Sequence, residues 1–328
     1  MGKRFAAVVL RGFGQKSTER APESLEVRPM SRSAERDAAS YRETGYLIVE
    51  NFFDRATVDA CLAEGTKICR GEYGPLDGLQ PSSPEQSDDD VLKRYITCAI
   101  AHKLSPLFGK LIADDRIAAL MPHLIGPNVK GLHSQFFIKH AGMPGNAWHQ
   151  DEAFVPTRDR SLLTAWIALD EATIENGCLR FLPGSHRAGV IYPRRRHNDP
   201  SLDREEETFG FPQSLDEAVS IELAPGSAVF FNGYLVHGSF QNVRTSGFRR
   251  ALLYTYAGAE SLMAWSPRND PVSSYEDYRD YTMVCGEDPY AWKGIRDIGR
   301  AYLRAPGPTP QDKLLASIEE AGSAAGIS

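Results

Sequence analysis

Between residue 132 and about residue 260, the chain consists of short β-prone runs separated by closely spaced turn signals. Glycine next to proline or asparagine bounds most of them, as in Pro144-Gly145 and Asn232-Gly233. Many short strands with turns of this kind are typical of a barrel or jelly roll, so we expect a β core here. The runs are Ser134–His140, Leu162–Leu169, Cys178–Leu182, Ser220–Leu223, Ala228–Phe231, Tyr234–His237 and Arg250–Ala257.

The first third of the chain has a helical pattern instead. Asp54 precedes a segment that predicts a helix through about Arg70, with the aspartate as its N-cap. Residues 91–125 carry apolar residues at helical spacing, and we expect a helical cover over about 270–328. The predicted fold class is α+β, with helices flanking a β core over about 132–260.

Composition excludes several classes of protein. The 37 Lys+Arg against 43 Asp+Glu give a net charge of -6, which argues against a nucleic-acid partner. The five cysteines form no C-x-x-C pair, which argues against a disulfide framework and fits a reducing compartment such as the cytoplasm. No apolar run approaches the roughly 20 residues that span a bilayer.

The N-terminal segment differs from the rest. Residues 17–38 are dominated by Ser, Glu, Arg and Pro, so we expect residues 1–38 to be a disordered extension and 39–328 a single domain. Residues 1–18 contain four basic and no acidic residues. This leaves an organellar transit segment within residues 1–30 as an alternative to a cytoplasmic location.

Three residues suggest a metal site. His149 and Asp151 are two positions apart, so in extended backbone both side chains face the same side. His237 follows an apolar run and offers a third ligand. Two imidazoles and one carboxylate leave open positions for a bidentate co-substrate and dioxygen at Fe(II). His-x-Asp alone is a weak signal, and spacing alone leaves other metals and plain buried histidines open.

An arginine after the distal histidine strengthens the prediction. Arg249 lies on the run that follows His237, where a guanidinium suits the C5 carboxylate of 2-oxoglutarate. The hydroxyl of Ser239 adds a donor. The alternative is that Arg249 and Arg250 form a surface pair on a β edge.

Taken together, these segments resemble the phytanoyl-CoA dioxygenase (PhyH-like) family of Fe(II)/2-oxoglutarate-dependent oxygenases across roughly residues 41–257. Their order along the chain is more specific than any one motif. The segments are Tyr46–Val49, Gly142–Gly145 leading into Trp148–Asp151, Trp166–Asp170, Glu175–Leu179, Leu182–His186, Pro225–Phe231, and His237–Ser239 with Asn242 and Arg249.

The resemblance implies a double-stranded β-helix core of the jelly-roll or cupin-like kind. It implies that His149, Asp151 and His237 hold Fe(II), that Arg249 and Ser239 hold 2-oxoglutarate, and that Trp166 lines its pocket. The implied enzyme is a dioxygenase that uses O2 to hydroxylate an unactivated C–H of a small molecule and releases succinate and CO2. Ascorbate is expected as a stimulant of such an enzyme.

Some assignments within the resemblance are less direct. The spacing from His237 to Arg249 is one residue longer than the family pattern, which leaves Arg244 and Arg250 as alternatives. Members of the family also have a basic residue near the co-substrate, on an early helix or strand, and Lys93 corresponds to it by position. The alternative is that Lys93 is a solvated surface lysine. Gln135 is predicted to face the site and contact the co-substrate, or to be a satisfied core amide.

The outcome of the reaction also has alternatives. Related iron halogenases have a small residue at the position of Asp151, which lets chloride bind the metal. The carboxylate of Asp151 therefore favours hydroxylation over halogenation. Desaturation, cyclisation or epimerisation at the same iron remain alternatives, as does a family member that binds metal or ligand without turnover.

The segments 71–90 and 191–215 are expected to shape the substrate pocket. The latter contains Arg194–Arg196, which could bind the phosphates of an acyl-CoA or a carrier-protein arm. The alternative is an exposed loop neutralised by the acidic run at 205–207. The substrate class stays open between an acyl-CoA and a secondary metabolite.

Overall fold

The computed structural model describes residues 32–157, 159–203, 206–262 and 277–307. Five helices lie in the first part of the chain: α1 (Arg32–Thr44), α2 (Arg55–Arg70), α3 (Asp88–Leu92), α4 (Pro106–Leu111) and α5 (Asp115–Leu124). The strands are β1 (Tyr46–Val49), β2 (Thr97–Ala99), β3 (Val129–His140), β4 (Leu163–Ala168), β5 (Leu179–Phe181), β6 (Arg194–Arg196), β7 (Glu206–Thr208), β8 (Val219–Ile221), β9 (Ala228–Asn232), β10 (His237–Ser239), β11 (Phe248–Gly258), β12 (Thr282–Cys285) and β13 (Tyr302–Arg304).

Two antiparallel sheets form the β core. The larger has the order β1-β9-β4-β11-β3-β2-β13, with β12 also paired to β3. The smaller has the order β10-β5-β8. An apolar cluster that joins Trp166 and Phe231 of the large sheet to Phe181 and Ile221 of the small one fills the space between them. The prediction of an α+β jelly roll with flanking helices is confirmed.

The helices cover the outer face of the large sheet. Asp54 begins α2 by accepting a hydrogen bond from the Thr57 amide at 2.8 Å, as the sequence predicts. Gly65 of α2 lies against the Phe136 ring, where an added Cβ would come within 2.2 Å of the ring. Because of this close approach, α2 packs directly on one face of β3. The opposite face of the sheet is therefore not covered by this helix.

Most predicted strands are present, with shifted ends. The run Tyr234–His237 is mostly a turn, and β10 begins only at His237. The helical pattern of residues 91–125 is interrupted by β2.

The predicted helical cover over about 270–328 is wrong for residues 277–307, which form β12, β13 and one short 3-10 turn. Main-chain groups of β2 and β3 need partners, and these late strands supply them. The remainder of that prediction lies outside the described residues.

At the N-terminus, α1 already begins at Arg32, inside the segment 1–38 that we expected to be disordered. Residues 1–31 lie outside the described part of the chain. In the ranges that are described, no helix has the length and apolar character needed to cross a bilayer.

Candidate metal and co-substrate site

The two candidate histidines face each other across a short antiparallel bridge. The His149 amide donates to the His237 carbonyl at 2.8 Å, and the His237 amide returns a bond of 2.9 Å. Gln150 is extended (φ -125, ψ 129), so the side chains of His149 and Asp151 emerge on the same side before a 3-10 turn begins at Asp151. Local backbone geometry therefore produces the arrangement predicted from the spacing.

The three ligand atoms converge. Asp151 Oδ1 lies 3.7 Å from His149 Nε2 and 3.6 Å from His237 Nε2, and all three atoms lie within 4.8 Å of one another. Bonds of about 2.1 Å to one ion allow ligand atoms up to about 4 Å apart. Both imidazoles are buried. The donor set fits a divalent transition metal bound on one face.

Hydrogen bonds behind the ligands fix their orientation. Nδ1 of His149 lies 2.8 Å from the Ala147 carbonyl, and Nδ1 of His237 lies 2.9 Å from the Leu235 carbonyl. Since a carbonyl only accepts, each Nδ1 carries the proton and each Nε2 presents its lone pair. Thr164 donates to Asp151 Oδ2 at 2.6 Å, which leaves Oδ1 toward the histidines.

Two cations lie side by side deeper in the same site. Arg249 and Lys139 are cross-strand partners on β11 and β3, exposed by only 4% and 8%. Within the described part of the chain, neither forms an ion pair with a carboxylate. Burial lowers the pKa of Arg249 to about 10. Burial, and then Arg249, lower the pKa of Lys139 well below its usual value. An anion bound between them would offset both effects.

Ser239 completes this cation pocket. Its Oγ accepts hydrogen bonds from Lys139 Nζ and from the Asn146 amide, both at 2.9 Å, so its own O–H remains to donate. Arg249 Nε donates to the Gly177 carbonyl at 3.1 Å, and its guanidinium lies 5.3 Å from the centre of the Trp166 ring. These contacts aim the remaining donors of Arg249 into the site.

The structure brings together all but one of the residues predicted from sequence. A cavity of about 240 Å³ is lined by the three candidate ligands together with Arg249, Ser239, Trp166 and Gln135. Lys93 does not line it. This lysine follows α3 at the surface, with a half-exposed side chain 3.7 Å from Asp90, as in the solvated alternative.

Lys139 is a residue of the cavity that the sequence patterns above did not predict. A signal was present, because Gln135, Phe137 and Lys139 alternate along one predicted strand and so share a face. A lysine on a face that also carries a site residue is a candidate for the site.

The two alternatives to Arg249 do not line the cavity. Arg250 lies on the opposite face of β11 and binds Asp170 through two hydrogen bonds of 2.8 Å. Arg244 lies near Glu171 and Glu175.

A facial set of two histidines and a carboxylate inside a jelly roll defines the class of mononuclear non-haem metal oxygenases. The sequence profile of the family described as Phytanoyl-CoA dioxygenase (PhyH) matches residues 41–251, more than half of the chain. The chain therefore belongs to the phytanoyl-CoA dioxygenase family of Fe(II)/2-oxoglutarate-dependent oxygenases.

Relatives span a range of reactions. The probable alpha-ketoglutarate-dependent hypophosphite dioxygenase of Stutzerimonas stutzeri is 28% identical over 250 residues, which cover 75% of this chain and 84% of that protein. The peroxisomal phytanoyl-CoA dioxygenase of Homo sapiens is 29% identical over 232 residues, 67% of each chain. Among solved structures, the epimerase SnoN in complex with Fe3+, alpha ketoglutarate and nogalamycin RO has a TM-score of 0.55 at 23% identity, and covers 78% of this chain and 97% of its own.

Proposed function

We propose that this protein is a dioxygenase that uses Fe(II), 2-oxoglutarate and O2 to hydroxylate an unactivated C–H of a small molecule, releasing succinate and CO2. The observation that carries the proposal is the convergence of His149 Nε2, His237 Nε2 and Asp151 Oδ1 on a cavity whose far end holds Arg249 and Lys139. A metal site and an anion site on one cavity match the two ends of a metal-chelating dicarboxylate.

Each residue has a separate role in binding the co-substrate. Arg249 grips the C5 carboxylate, Ser239 donates its hydroxyl to it, and Lys139 adds a second positive charge. Trp166 forms the wall beside Arg249. Gln135 lies four residues from Lys139, about 14 Å along β3 at about 3.4 Å per residue. It is two residues from His133, which is in register with Thr164, the residue bound to Asp151, so it lies toward the metal end of the cavity.

Iron with 2-oxoglutarate supplies the oxidising power when bound. The chain would hold the metal through Nε2 of both histidines, while each Nδ1 keeps its proton and donates it in a hydrogen bond to a backbone carbonyl. The cavity walls are largely apolar near the ligands, with Phe231 and Phe154 against the imidazoles. They keep bulk water away and hold the substrate C–H toward the metal.

The test of the proposed function is succinate formation. We expect the purified protein with Fe(II), 2-oxoglutarate and ascorbate to release succinate slowly alone and faster with substrate, and to lose this activity when a chelator removes the metal. If the protein binds Fe(II) and 2-oxoglutarate but forms no succinate, with or without substrate, the oxygenase proposal is wrong and a non-catalytic binding role is favoured. Product analysis separates hydroxylation from desaturation, cyclisation and epimerisation; the epimerase named above shows that this fold also serves the last.

The insertion at 191–215 supports a substrate other than an acyl-CoA. Arg194 and Arg195 lie on a hairpin in which β7 supplies Glu206 at 3.2 Å and Glu207 at 2.8 Å. Because these carboxylates offset the positive charge of Arg194 and Arg195, the attraction of the hairpin for a phosphate is weakened. We therefore favour a small substrate without a CoA or carrier arm.

Binding of 2-oxoglutarate is expected to weaken as pH rises. The pKa of Lys139 is depressed in the free site, and a bound carboxylate stabilises the ammonium form, so binding takes up a proton above that depressed pKa. Above it, the dissociation constant should rise by up to about tenfold per pH unit. Calorimetric titration of the Mn(II)-loaded protein between about pH 7 and about pH 9 measures this linkage. Lys139→Met should bind more weakly and without this slope; an unchanged slope in the variant would contradict the assignment.

A further inference from the structure

One cation in the cavity has no role in the proposed co-substrate site. Arg304 of β13 lines the same cavity as the metal ligands. Within the described residues its side chain donates no hydrogen bond, and its Nε is buried without a partner. The Asp203 carboxylate lies 3.9 Å from its Nη2, within ion-pair distance but too far for a hydrogen bond. A guanidinium with unused donors inside a cavity is the feature expected of an anion-binding residue.

The position of Arg304 follows from the register of the large sheet. Arg304 is the cross-strand partner of Thr97, and Thr97 is the partner of Phe137. Cross-strand partners share a face, so Arg304 lies on the face that carries Phe137 and Lys139, while Leu303 points into the core below. The β13 main chain is held by β2 and by the Asp77 carbonyl, which fixes this orientation.

Arg304 is well separated from the co-substrate cations. Two strand spacings, about 10 Å, separate it from β3, and Arg249 lies one strand farther on β11. Under the proposed function the co-substrate would lie between Arg249 and the metal ligands, so Arg304 faces the remaining part of the cavity. This arginine also lies beyond residues 41–251, the part of the chain that matches the family.

We propose, resting on the proposed function, that Arg304 anchors the substrate and that the substrate is a small organic anion, with a carboxylate or another oxyanion remote from the C–H that reacts. The cavity of about 240 Å³ is smaller than the roughly 300–1,000 Å³ of pockets for drug-sized ligands. A compact substrate fits a cavity of this size. Asp203, at 34% side-chain exposure, lies beside the guanidinium and repels an anion bound there, a dianion more strongly than a monoanion, which favours a substrate with a single negative charge.

The experiment uses a set of small carboxylic, phosphonic and sulfonic acids, each with its uncharged amide or ester. Ligand-observed NMR measures their binding to the full-length protein loaded with Zn(II) and 2-oxoglutarate, a state without turnover. We expect acids to bind and their neutral partners not to bind. Arg304→Leu should lower the affinity for the acids by at least about tenfold, and Arg304→Lys should retain part of that affinity. The phosphonic and sulfonic members distinguish a tetrahedral oxyanion from a carboxylate.

Arg300→Leu is the matched control, because it removes the same charge from the same segment at a side chain 72% exposed. It should leave binding of the acids unchanged. The inference is wrong if no acid binds, if acids and neutral partners bind equally, or if Arg304→Leu binds acids like the wild type. It is also wrong if that variant loses 2-oxoglutarate as Arg249 variants do, since Arg304 would then serve the co-substrate. Failure of the wild type to bind 2-oxoglutarate at all would instead refute the proposed function.

Discussion

Replacing Arg249 with leucine is expected to weaken 2-oxoglutarate binding by at least about 100-fold, corresponding to about 3 kcal/mol. The guanidinium is 4% exposed and lies beside a second buried cation, so a carboxylate bound there is shielded from water. Truncation removes the bidentate donor and leaves that carboxylate with Lys139 and Ser239 alone. Calorimetric titration of the Mn(II)-loaded variant measures the loss.

Arg244→Leu is the control for this prediction, since Arg244 was an alternative from sequence and its guanidinium lies near exposed carboxylates of Glu171 and Glu175. It should bind 2-oxoglutarate like the wild type. Equal losses in both variants would show that general positive charge, rather than the position of Arg249, holds the co-substrate. Metal affinity should stay unchanged in both.

Replacing Asp151 with alanine is expected to lower metal affinity by at least about 100-fold and to abolish succinate formation. Asp151 is the anionic member of the three candidate ligands, and its loss would leave two neutral imidazoles to hold a dication. Co(II) absorption titration measures affinity through the ligand field of the bound ion. The ratio of the Co(II) affinities of the wild type and Asp151→Ala tests whether Asp151 binds the metal, which loss of activity alone does not.

Thr164→Val is a milder test of the same assignment, because it removes only the 2.6 Å hydrogen bond to Asp151 Oδ2. Its metal affinity should fall between those of the wild type and Asp151→Ala, since the carboxylate remains but loses its fixed orientation. An Asp151→Ala protein that binds Co(II) with wild-type affinity and an unaltered spectrum would exclude Asp151 as a ligand. Melting temperatures of both variants verify folding.

Local sequence was sufficient where short-range geometry decides the outcome. Asp54 caps α2 because a cap needs only the residues beside it. His149 and Asp151 share a side because the backbone between them is extended, and alternation then orients both side chains. The strands of the core were predictable for the same reason, since alternating and turn residues determine them locally.

Longer-range pairing limited the other predictions. The strands β12 and β13 were expected to be helical, and they became strands because β3 and β2 offered unpaired edges. Lys93 was chosen by position in the chain, but the end of α3 places it beside Asp90 at the surface. Neither outcome can be read from nearby residues, because each depends on which distant segment lies alongside.

The sequence by itself determined the β-rich core of this chain and the two halves of its candidate metal site, His149 with Asp151 and the separate His237. Only the tertiary structure decided that these halves meet, through the bridge between His149 and His237. It alone paired Lys139 with Arg249 and turned Arg304 into the same cavity. The physical reason is that register between strands places charges side by side, and register depends on the packing of the whole sheet.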